Sequence, residues 1–503
     1  MPASRDHLAL SCLLFVIFAV RAVRPDQPIV ENYVGRQVPT AMVARNLERG
    51  SGFLRPTLDT GPFPNLFLVE PPIFAEAAVL VRGLTGLELP AAGRLVSAFA
   101  TALGGWGIFG LVRPRGGLAA ALGSVVAFGA FPVTIRYGRA FQPDMLMIGT
   151  QAAALRCWDE HEQGRGPATL AVGWLLLATS LATKITSAAV LLPLLLLLRP
   201  IRPWKLALAV SAAVPALCWY GHAAVLVSGE RGSRASLDNA RLWFHALVPT
   251  ALLRGETYLR AARSLLVRAF TPVGTVVAGW GLLLLHKSGN ATRAIRDGSS
   301  PPRPDHFAVA YALASAAGLA ILAGKLHHEY YWLALAPPAA IGAGTALANL
   351  GRQRRALAIA VWLGLLAMAG SQTASTWRTP PEWADLPGAS ETVRAAVPPG
   401  ALLIAPEALL FAADRRGCRL EFGEGPSARA AGEWGGTLSG VGPLALVEFY
   451  RARGARFVAD VGPEAGDPLR RAWREAVRRR FAVVRDRPGV FLADLEGVPD
   501  APP

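Results

Sequence analysis

The stretch that decides the fold is "LALSCLLFVIFAV" (Leu8–Val20), followed at once by "RPDQPIVENYVGRQVPTAMVARNLERG" (Arg24–Gly50). The first part predicts an uncleaved membrane helix over Leu8–Val23, because Arg21 and Arg24 replace the small residues that signal cleavage needs. The second part presents acidic and basic side chains directly after that helix. We therefore expect this loop to be half of an active site at a membrane surface.

The composition of the whole chain indicates a membrane protein. Of the 503 residues, 52% are hydrophobic and 17% are charged, and the mean hydropathy is +0.35. Soluble proteins carry about 25% charged residues. Apolar runs approaching the roughly 20 residues that cross a bilayer recur along the chain. With the first helix they predict about eleven transmembrane helices, at Arg94–Val112, Leu118–Val133, Met145–Trp158, Ala168–Ala182, Ile185–Leu198, Leu206–Val227, Thr271–Leu285, Phe307–Leu322, Tyr331–Leu350 and Ala356–Ala369.

The net charge of +16 favours a membrane-topology signal over nucleic-acid binding. From Ser371 onward the chain has 17 basic and 17 acidic residues, so the whole excess lies between the apolar runs. Basic residues in that position set the orientation of a membrane protein. A cytoplasmic N-terminus places the basic loops that begin at Arg113, Arg199 and Gly351 inside, and it places the C-terminal part outside.

The first outer loop, Arg24–Gly93, is predicted to contain a helix that lies in the membrane interface. Pro39 can open that helix and Gly50 can end it, with apolar residues on one face and charged residues on another. The segment Arg241–Phe270, in the second long outer loop, has the same character. These two segments make the fold a mainly α membrane protein with interfacial helices.

The C-terminal part is predicted to be a small α/β domain. We therefore divide the chain into a transmembrane domain over residues 1–371 and an extracytoplasmic domain over residues 372–503. Short strand-like runs alternate there with helical runs, and no Gly-rich phosphate fingerprint occurs at a strand-to-helix turn. The strand-like runs begin at Ala401, Cys418, Arg456, Phe481 and Gly489, and the helical runs begin at Ser390, Pro443 and Asp467.

Three stretches on the presumed outer side concentrate polar groups. They are the first loop with Asp26, Glu31, Arg36, Asp59 and Glu70, then "RYGRAFQPDML" (Arg136–Leu146) with Arg139 and Asp144, then "GKLHHEYYWLALAPP" (Gly324–Pro338) with Lys325, His327, His328 and Tyr331. A carboxylate can deprotonate an acceptor, and cations can stabilise a departing phosphate. These groups suit sugar transfer from a polyprenyl-phosphate carrier, and they also suit transport of an anionic lipid.

The order of these features resembles the membrane-embedded glycosyltransferases of the GT-C superfamily. It is most similar to the bacterial relatives of protein O-mannosyltransferases and of the aminoarabinose transferase that modifies lipid A. The stretches that carry the resemblance are "RQVPTAMVARNLERGSGFLRP" with "EPPIF", "YGRAFQPDML" and "KLHHEYYWLALAPP". The resemblance implies an inverting transfer, in the bacterial inner membrane, from a polyprenyl-phosphate sugar to a lipid, glycan or protein acceptor.

The resemblance also implies roles for individual residues. Many members carry an acidic pair where this chain has Arg36 and Gln37. The expected base is therefore Glu31, and Asp26 and Asp59 are the next candidates. Asp144 matches the acid that supports the base. Groups expected near the carrier phosphate or the sugar are Arg36, Glu70, Arg139, Lys325, His327, His328 and Tyr331.

Several alternatives stay open at this point. Lys184, a lone charge between two apolar runs, is interpreted as an interfacial turn residue in preference to a site residue. The four cysteines show neither a disulfide framework nor zinc spacing, no cofactor is identified, and a divalent metal is left open. A transporter or flippase of lipid-linked sugars would carry ionisable residues in mid-span and matched repeats. A non-catalytic scaffold would use its outer domain to recruit a partner, and its outer-loop acids would be dispensable.

Overall fold

The computed structural model describes residues 2–31, 33–198, 200–229, 249–294, 306–440 and 442–497. The chain forms two compact units. The first, which we call the helical unit, takes Met1–Pro25, Leu80–His222 and Arg241–Ala374. The second takes Asp26–Val79, Ala223–Ala240 and Ser375–Pro503, and we call it the outer unit after the predicted outer loop and C-terminal domain that it contains.

The predicted apolar runs are helical over most of their described length, with breaks at Phe131 and at Ala212 and Ala213. The helices before the C-terminal part are Pro2–Ala22, Val34–Glu48, Ile73–Thr85, Leu89–Ala130, Pro132–Tyr137, Asp144–Glu162, Pro167–Thr183, Leu191–Leu197, Pro203–Ser211, Val214–Gly229, Gly255–Arg263, Pro272–Ala294, Phe307–Ile321, Ala336–Gln353 and Arg355–Thr373. Shorter 3₁₀ segments lie at Ile185–Val190, Pro249–Leu253, Ala323–Lys325, Glu329–Leu335, Ala374–Trp377 and Pro381–Trp383, and a π-helical segment lies at Ser264–Ala269. Of the predicted second interfacial segment, the part before Pro249 lies outside the described residues.

The segment Leu89–Ala130 is a hairpin of two helical arms. Gly117 has a left-handed backbone, with φ of 79°, three residues after Pro114. A Cβ added at Gly104 would lie 3.1 Å from the ring of Phe128. A straight helix would separate two residues that far apart in sequence by about 36 Å, so the chain reverses at Gly117. The two apolar runs predicted on either side of "RPRGG" are therefore separate antiparallel helices.

The predicted count of about eleven membrane helices is not confirmed. Among the described residues, four helical segments meet the length and hydropathy needed to cross a bilayer, and a fifth joins them if a pair bent by 100° forms one span. The 17-residue helix Pro167–Thr183 is about 26 Å long, slightly less than the roughly 30 Å hydrocarbon core. The four segments are Leu89–Ala130, Pro203–Ser228, Glu329–Gln353 and Arg355–Ala396, the bent pair is Gly255–Ala269 with Pro272–Lys287, and the shorter apolar helices are Pro167–Thr183, Ile185–Leu197 and Phe307–Ile321.

Small residues let the helices of the helical unit approach closely. A Cβ on Gly149 would lie 2.1 Å from the carbonyl oxygen of Ala100, and one on Gly281 would lie 1.8 Å from that of Gly342. Both contacts are with backbone, so neither position accepts a larger residue without moving a helix. This use of glycine is typical of helix packing in membranes.

The first outer loop differs from the predicted interfacial helix. Its helix begins at Val34, not at Pro39, and ten of its fifteen residues are buried. Backbone hydrogen bonds from Arg36 and Gln37 to the carbonyl of Tyr33 close the first turn before Pro39 is reached. The helix is therefore buried on several faces, whereas the predicted interfacial helix would be buried on one face.

A second helix in that loop, which the sequence analysis did not predict, exposes apolar side chains. It spans Ile73–Thr85, and Leu80 and Leu84 are 62% and 77% exposed. The helix Gly255–Arg263 has no buried residue and exposes Leu259, as expected for the second interfacial segment.

The C-terminal part contains the predicted sheet, and all five strand-like runs form strands. They are β3 (Leu402–Ala405), β4 (Gly417–Arg419), β5 (Ala455–Val461), β6 (Ala482–Arg487) and β7 (Val490–Asp494), in the spatial order β4-β3-β5-β7-β6. The pairs of β3 with β4 and β5 are parallel, and those of β7 with β5 and β6 are antiparallel. A two-residue ladder, β1 (Thr57–Leu58) with β2 (Asn65–Leu66), lies in the first loop.

The helices of this part pack on the sheet. The three predicted helical runs form helices, and Glu407–Ala413 and Glu424–Glu433 are additional. Trp473 and Val477, from the last helix, are buried with Phe491 of β7 in one apolar core. The helices are Leu386–Ala396, Glu407–Ala413, Glu424–Glu433, Ala445–Arg451 and Pro468–Arg480.

Candidate functional site

A buried ion pair joins Asp144 to Lys184 in the helical unit. Asp144 is the first residue of its helix, a position where the helix dipole stabilises a carboxylate. Lys184 follows the last residue of the Pro167–Thr183 helix, in an extended conformation, and its Nζ donates to Oδ1 of Asp144 at 2.6 Å. Gln142 Nε2 donates to the other oxygen, Oδ2, at 3.1 Å. Lys184 is thus both the predicted turn residue and the partner of a predicted site acid.

Aromatic rings cover the cation of this pair. The Nζ atom of Lys184 lies 4.5 Å from the ring centroid of Tyr330 and 5.2 Å from that of Tyr331, within reach of a cation–π attraction. The ring of His328 stacks on Tyr330 at 5.5 Å, with 9° between the planes. We call Asp144, Lys184, Tyr330, Tyr331 and His328 the Asp144 cluster. It unites three of the predicted site residues from distant parts of the sequence.

The two neighbouring histidines of this region both have a lowered pKa. Burial is the largest cause that lowers the pKa of His328 to about 4, and electrostatic repulsion by His327, Lys325 and Lys184 adds to it. Burial also lowers the pKa of His327. Lys325 itself is buried at the end of its 3₁₀ segment, and its carbonyl accepts a hydrogen bond from the backbone N–H of His328. An imidazole that is neutral near pH 7 can accept or donate a proton.

A second charged group lies next in sequence to the Asp144 cluster. Glu329 forms ion pairs with Arg136, at 3.1 Å, and with Arg268. Arg136 also donates to the carbonyls of Arg268 and Gln372. This arrangement ties the short helix Pro132–Tyr137 to three other segments and leaves Arg268 half exposed.

Arg139 is fully buried and serves the backbone of the first turn after the N-terminal helix. It donates to the carbonyl oxygen of Arg24 at 3.2 Å, and Arg94 donates to that of Pro25 at 2.9 Å. These contacts fix the point where the chain leaves the helical unit. Contact of Arg139 with a substrate stays a prediction.

The outer unit brings together Arg36 and Glu70. Their side chains form an ion pair in which both partners are about nine-tenths buried, and the guanidinium lies 5.6 Å from the ring centroid of Phe67. Glu31 is also buried, and its carbonyl accepts a hydrogen bond from Gln37 Nε2 at 2.5 Å. Glu31 and Arg36 are thus linked through the first turn of the Val34–Glu48 helix.

The other two candidate acids of the first loop have different surroundings. Asp59 is buried, and Arg45 donates to its Oδ2 atom at 2.5 Å. Asp26 is exposed. Asp59 is therefore occupied by a cation, whereas Asp26 is open to water. In the described part of the chain, no group of three or more His, Cys, Asp or Glu side chains could hold a metal ion.

Sequence reasoning passed over several of these groups. Lys184 was interpreted as a turn residue, although its position as a lone charge between apolar runs was a signal that could have indicated a site residue. Tyr330 and Glu329 stand inside a stretch already singled out, but no pattern distinguished them from their neighbours. Arg136 and Arg268 belong to segments 132 residues apart, and that distance in sequence hid their shared partner.

The fold is that of the solved ArnT and oligosaccharyltransferase structures, as the resemblance predicted. The chain is similar over 98% of its length to the crystal structure of ArnT from Cupriavidus metallidurans bound to undecaprenyl phosphate, with a TM-score of 0.63, 16% identity and 99% of that chain covered. The apo structure of the same ArnT gives a TM-score of 0.64 at 14% identity, covering 99% of this chain and 100% of that chain.

A more distant structure shares the same architecture. The oligosaccharyltransferase of Archaeoglobus fulgidus, in complex with Zn and sulfate, has a TM-score of 0.57 and 12% identity, and the match covers 96% of this chain and 72% of that chain. No family model matches the chain, and a search of curated proteins finds no match. At these identities the comparisons define the fold of the chain.

Proposed function

We propose that the chain is a membrane glycosyltransferase that moves a sugar from a polyprenyl-phosphate-linked donor to an acceptor. The observation that carries the proposal is the nearly complete match in fold to an ArnT structure that holds undecaprenyl phosphate. The Asp144 cluster adds a second support, because a buried cation beside aromatic rings and neutral histidines suits chemistry on a phosphate leaving group.

The reaction would be a single displacement with inversion. A carboxylate takes the proton of the acceptor hydroxyl or amine, whose lone pair attacks the anomeric carbon of the sugar. The bond between that carbon and the phosphate oxygen breaks, and its electron pair leaves with the polyprenyl phosphate. Cationic groups stabilise the charge that develops on the phosphate. No redox partner is consumed.

Glu31 is our first choice for the base. It is buried in the outer unit, whereas Asp59 is paired with Arg45 and Asp26 is exposed. Burial excludes water, which otherwise competes with the acceptor. Asp144 would support the base or the substrate from the helical unit.

The remaining predicted residues would bind the donor. Lys325, His327, His328 and Tyr331 would lie near the carrier phosphate, and Arg36, Glu70 and Arg139 would contact the phosphate or the sugar. A metal ion is left open.

The proposed location is the bacterial inner membrane, with a cytoplasmic N-terminus and an extracytoplasmic C-terminal domain over residues 372–503. One end of the helical unit supports this orientation. Arg113 pairs there with Asp6, and Arg115 with Asp159, at 2.7 and 2.6 Å. The helix Asp144–Glu162 separates Asp159 from Asp144 by 15 residues, or about 22 Å, so the two acids lie towards opposite ends of that helix.

Transfer of a radiolabelled sugar tests the proposal. The purified chain is supplied with polyprenyl-phosphate sugars and candidate acceptors, and wild type is compared with Glu31→Gln and Asp144→Asn. Each variant should lose about a hundredfold or more of the transfer rate. Glu475→Gln, at a half-exposed acid of the last helix, is the matched control and should transfer normally.

Two outcomes would contradict this assignment. Transfer that survives both carboxylate changes would end the mechanism. Movement of the labelled lipid-linked sugar across a vesicle membrane, without transfer to any acceptor, would identify the chain as a transporter or flippase.

A further inference from the structure

Residues 59–61 of the first loop form an isolated β-bridge with the edge strand β4, and we call this short segment the added strand. The backbone N–H of Gly417 donates to the carbonyl of Asp59, and that of Gly61 donates to the carbonyl of Gly417, both at 2.9 Å. Thr60 pairs with Gly417 in parallel. A Cβ at Gly61 would lie 2.4 Å from the Trp434 ring, so only glycine fits there without displacing the indole. The first loop thus covers the β4 edge of the C-terminal sheet.

One side chain ties this added strand to the first-loop helix and to the C-terminal part. Arg45, in the Val34–Glu48 helix, donates from one terminal nitrogen to Asp59, at 2.5 Å. Its other terminal nitrogen, Nη1, donates to the carbonyl of Phe411 at 2.6 Å and lies 3.1 Å from Oδ1 of Asp414. The guanidinium lies 4.5 Å from the centroid of the Phe411 ring.

The planar guanidinium suits this task better than an ammonium group would. It presents donors in fixed directions, stacks on an aromatic face and stays charged when buried. The Arg45 side chain is 11% exposed and that of Asp59 is 1% exposed. Removing the cation would leave a buried carboxylate without its strongest donor.

The same helix presents the candidate catalytic groups at its other end. Arg36 lies in its first turn, and Gln37 holds the carbonyl of Glu31. Because a helix transmits position along its length, the anchor at Arg45 sets the place of Arg36 and Glu31. We propose that Arg45 is a positioning residue, which holds the first-loop helix against the C-terminal part so that Glu31 and Arg36 face the substrate. This inference rests on the proposed glycosyltransferase function.

The chain offers a matched control in the same helix. Arg49 pairs with the same oxygen of Asp414, at 2.5 Å, and lies 3.9 Å from Asp59. Its side chain, however, is 44% exposed. Exposed ion pairs contribute little to stability, so an Arg49→Gln variant changes the charge of this region and leaves the anchor in place.

The experiment uses the full chain in lipid nanodiscs and two independent readouts. The first is amide hydrogen exchange at Gly61 and Gly417, which reports the added strand without requiring activity. We expect exchange about tenfold faster in Arg45→Gln, a loss of about 1.4 kcal/mol in local opening, and no change in Arg49→Gln. The second is transfer of the radiolabelled sugar.

For transfer, we expect kcat of Arg45→Gln to fall by about tenfold to a hundredfold, as for a reacting group displaced by an ångström or less. The KM for the donor should change by less than about twofold, because the donor contacts remain. Arg45→Lys keeps the charge but cannot reach all three acceptors, and it should fall between wild type and Arg45→Gln.

The outcomes separate the two proposals. Equal exchange and equal kcat in Arg45→Gln and Arg49→Gln would overturn the positioning role. Faster exchange with unchanged kcat would also overturn it, because Arg45 would then be structural only. A wild type that transfers no sugar would instead remove the proposed function. If Arg45→Gln fails to fold, Arg45→Lys and Asp414→Asn carry the same comparison.

Discussion

Both ends of the helical unit bury an ion pair, but the two pairs have different surroundings. At one end Arg115 binds Asp159 with two hydrogen bonds, at 2.8 and 2.6 Å, and Gln163 adds a third. At the other end Lys184 gives Asp144 one short bond and turns its remaining surface towards tyrosine rings. A buried pair alone therefore does not identify a site. Lys184 lies against two tyrosine rings, whereas Arg115 lies 5.1 Å from the centroid of the Phe307 ring.

The largest effect is expected from Lys184→Met. The change leaves Asp144 buried without its cation, which costs about 3–5 kcal/mol of stability. It also removes a charge proposed to act on the phosphate, so transfer should fall by about a hundredfold or more. Rates with radiolabelled donor and denaturant unfolding in the same detergent measure the two effects.

A double variant separates stability from chemistry at this end. Lys184→Met with Asp144→Asn removes both charges and should recover much of the lost stability while transfer stays low. Recovery of transfer along with stability would show that the pair only holds the helices together.

At the opposite end, Arg115→Met should affect stability without affecting catalysis. Asp159 loses its bidentate partner, and unfolding should become easier by about 3 kcal/mol. The transfer rate of the folded fraction should stay within about twofold, a difference below 0.5 kcal/mol. A much larger loss of transfer would mean that the two ends are coupled and that the contrast drawn between them is wrong.

A moderate pH effect is expected at the Asp144 end, from His328. Since the pKa of His328 is about 4 in the fold and near 6.5 when unfolded, the unfolded chain binds the proton first as the pH falls. The contribution of His328 to stability is therefore constant above about pH 6.5 and declines from there towards pH 4. Thermal unfolding at several pH values checks this.

His328→Gln provides the comparison for the pH effect. The variant should lose less stability on acidification than wild type does. Parallel curves for the two proteins would show that His328 titrates normally and is not shielded by its neighbours.

The smallest effect is expected at an exposed pair. Glu256 and Arg260 are 2.8 Å apart, nearly the spacing of Arg115 and Asp159, but their side chains are 78% and 72% exposed. Glu256→Gln should change the free energy of unfolding by less than about 0.5 kcal/mol. A loss as large as that of Arg115→Met would mean that burial is not what distinguishes these pairs.

Local patterns in the sequence predicted most of the secondary structure. The five C-terminal strands and the reversal near "RPRGG" follow from short apolar runs and from Pro and Gly at the turn. The start of the first-loop helix was predicted wrongly, because Pro39 is a typical first residue and the turn before it is closed by Tyr33. That contact has no signature in the sequence.

The candidate site was predictable only as a set of separate stretches. Asp144 and Lys184 are 40 residues apart, and Arg45 and Phe411 are 366 apart. Which charged residues contact each other depends on how the helices pack, and a single sequence does not specify that packing. Asp144, His328 and Tyr331 were each named as candidate site residues, whereas Lys184, which contacts Asp144 and Tyr331, was assigned to a turn.

The pairing of Thr60 with Gly417 also determines when, during synthesis, the first loop can complete its fold. Ribosomes add about 5–20 residues each second, so the first loop emerges roughly 20–70 s before the strand it must join, given the 366 residues between Arg45 and Phe411. Throughout that interval the loop has no Gly417 to pair with. Slow translocation of the C-terminal segment would therefore delay the pairing of the first loop. A chain truncated before Gly417 would lack its C-terminal part and would also leave the first loop without this pairing.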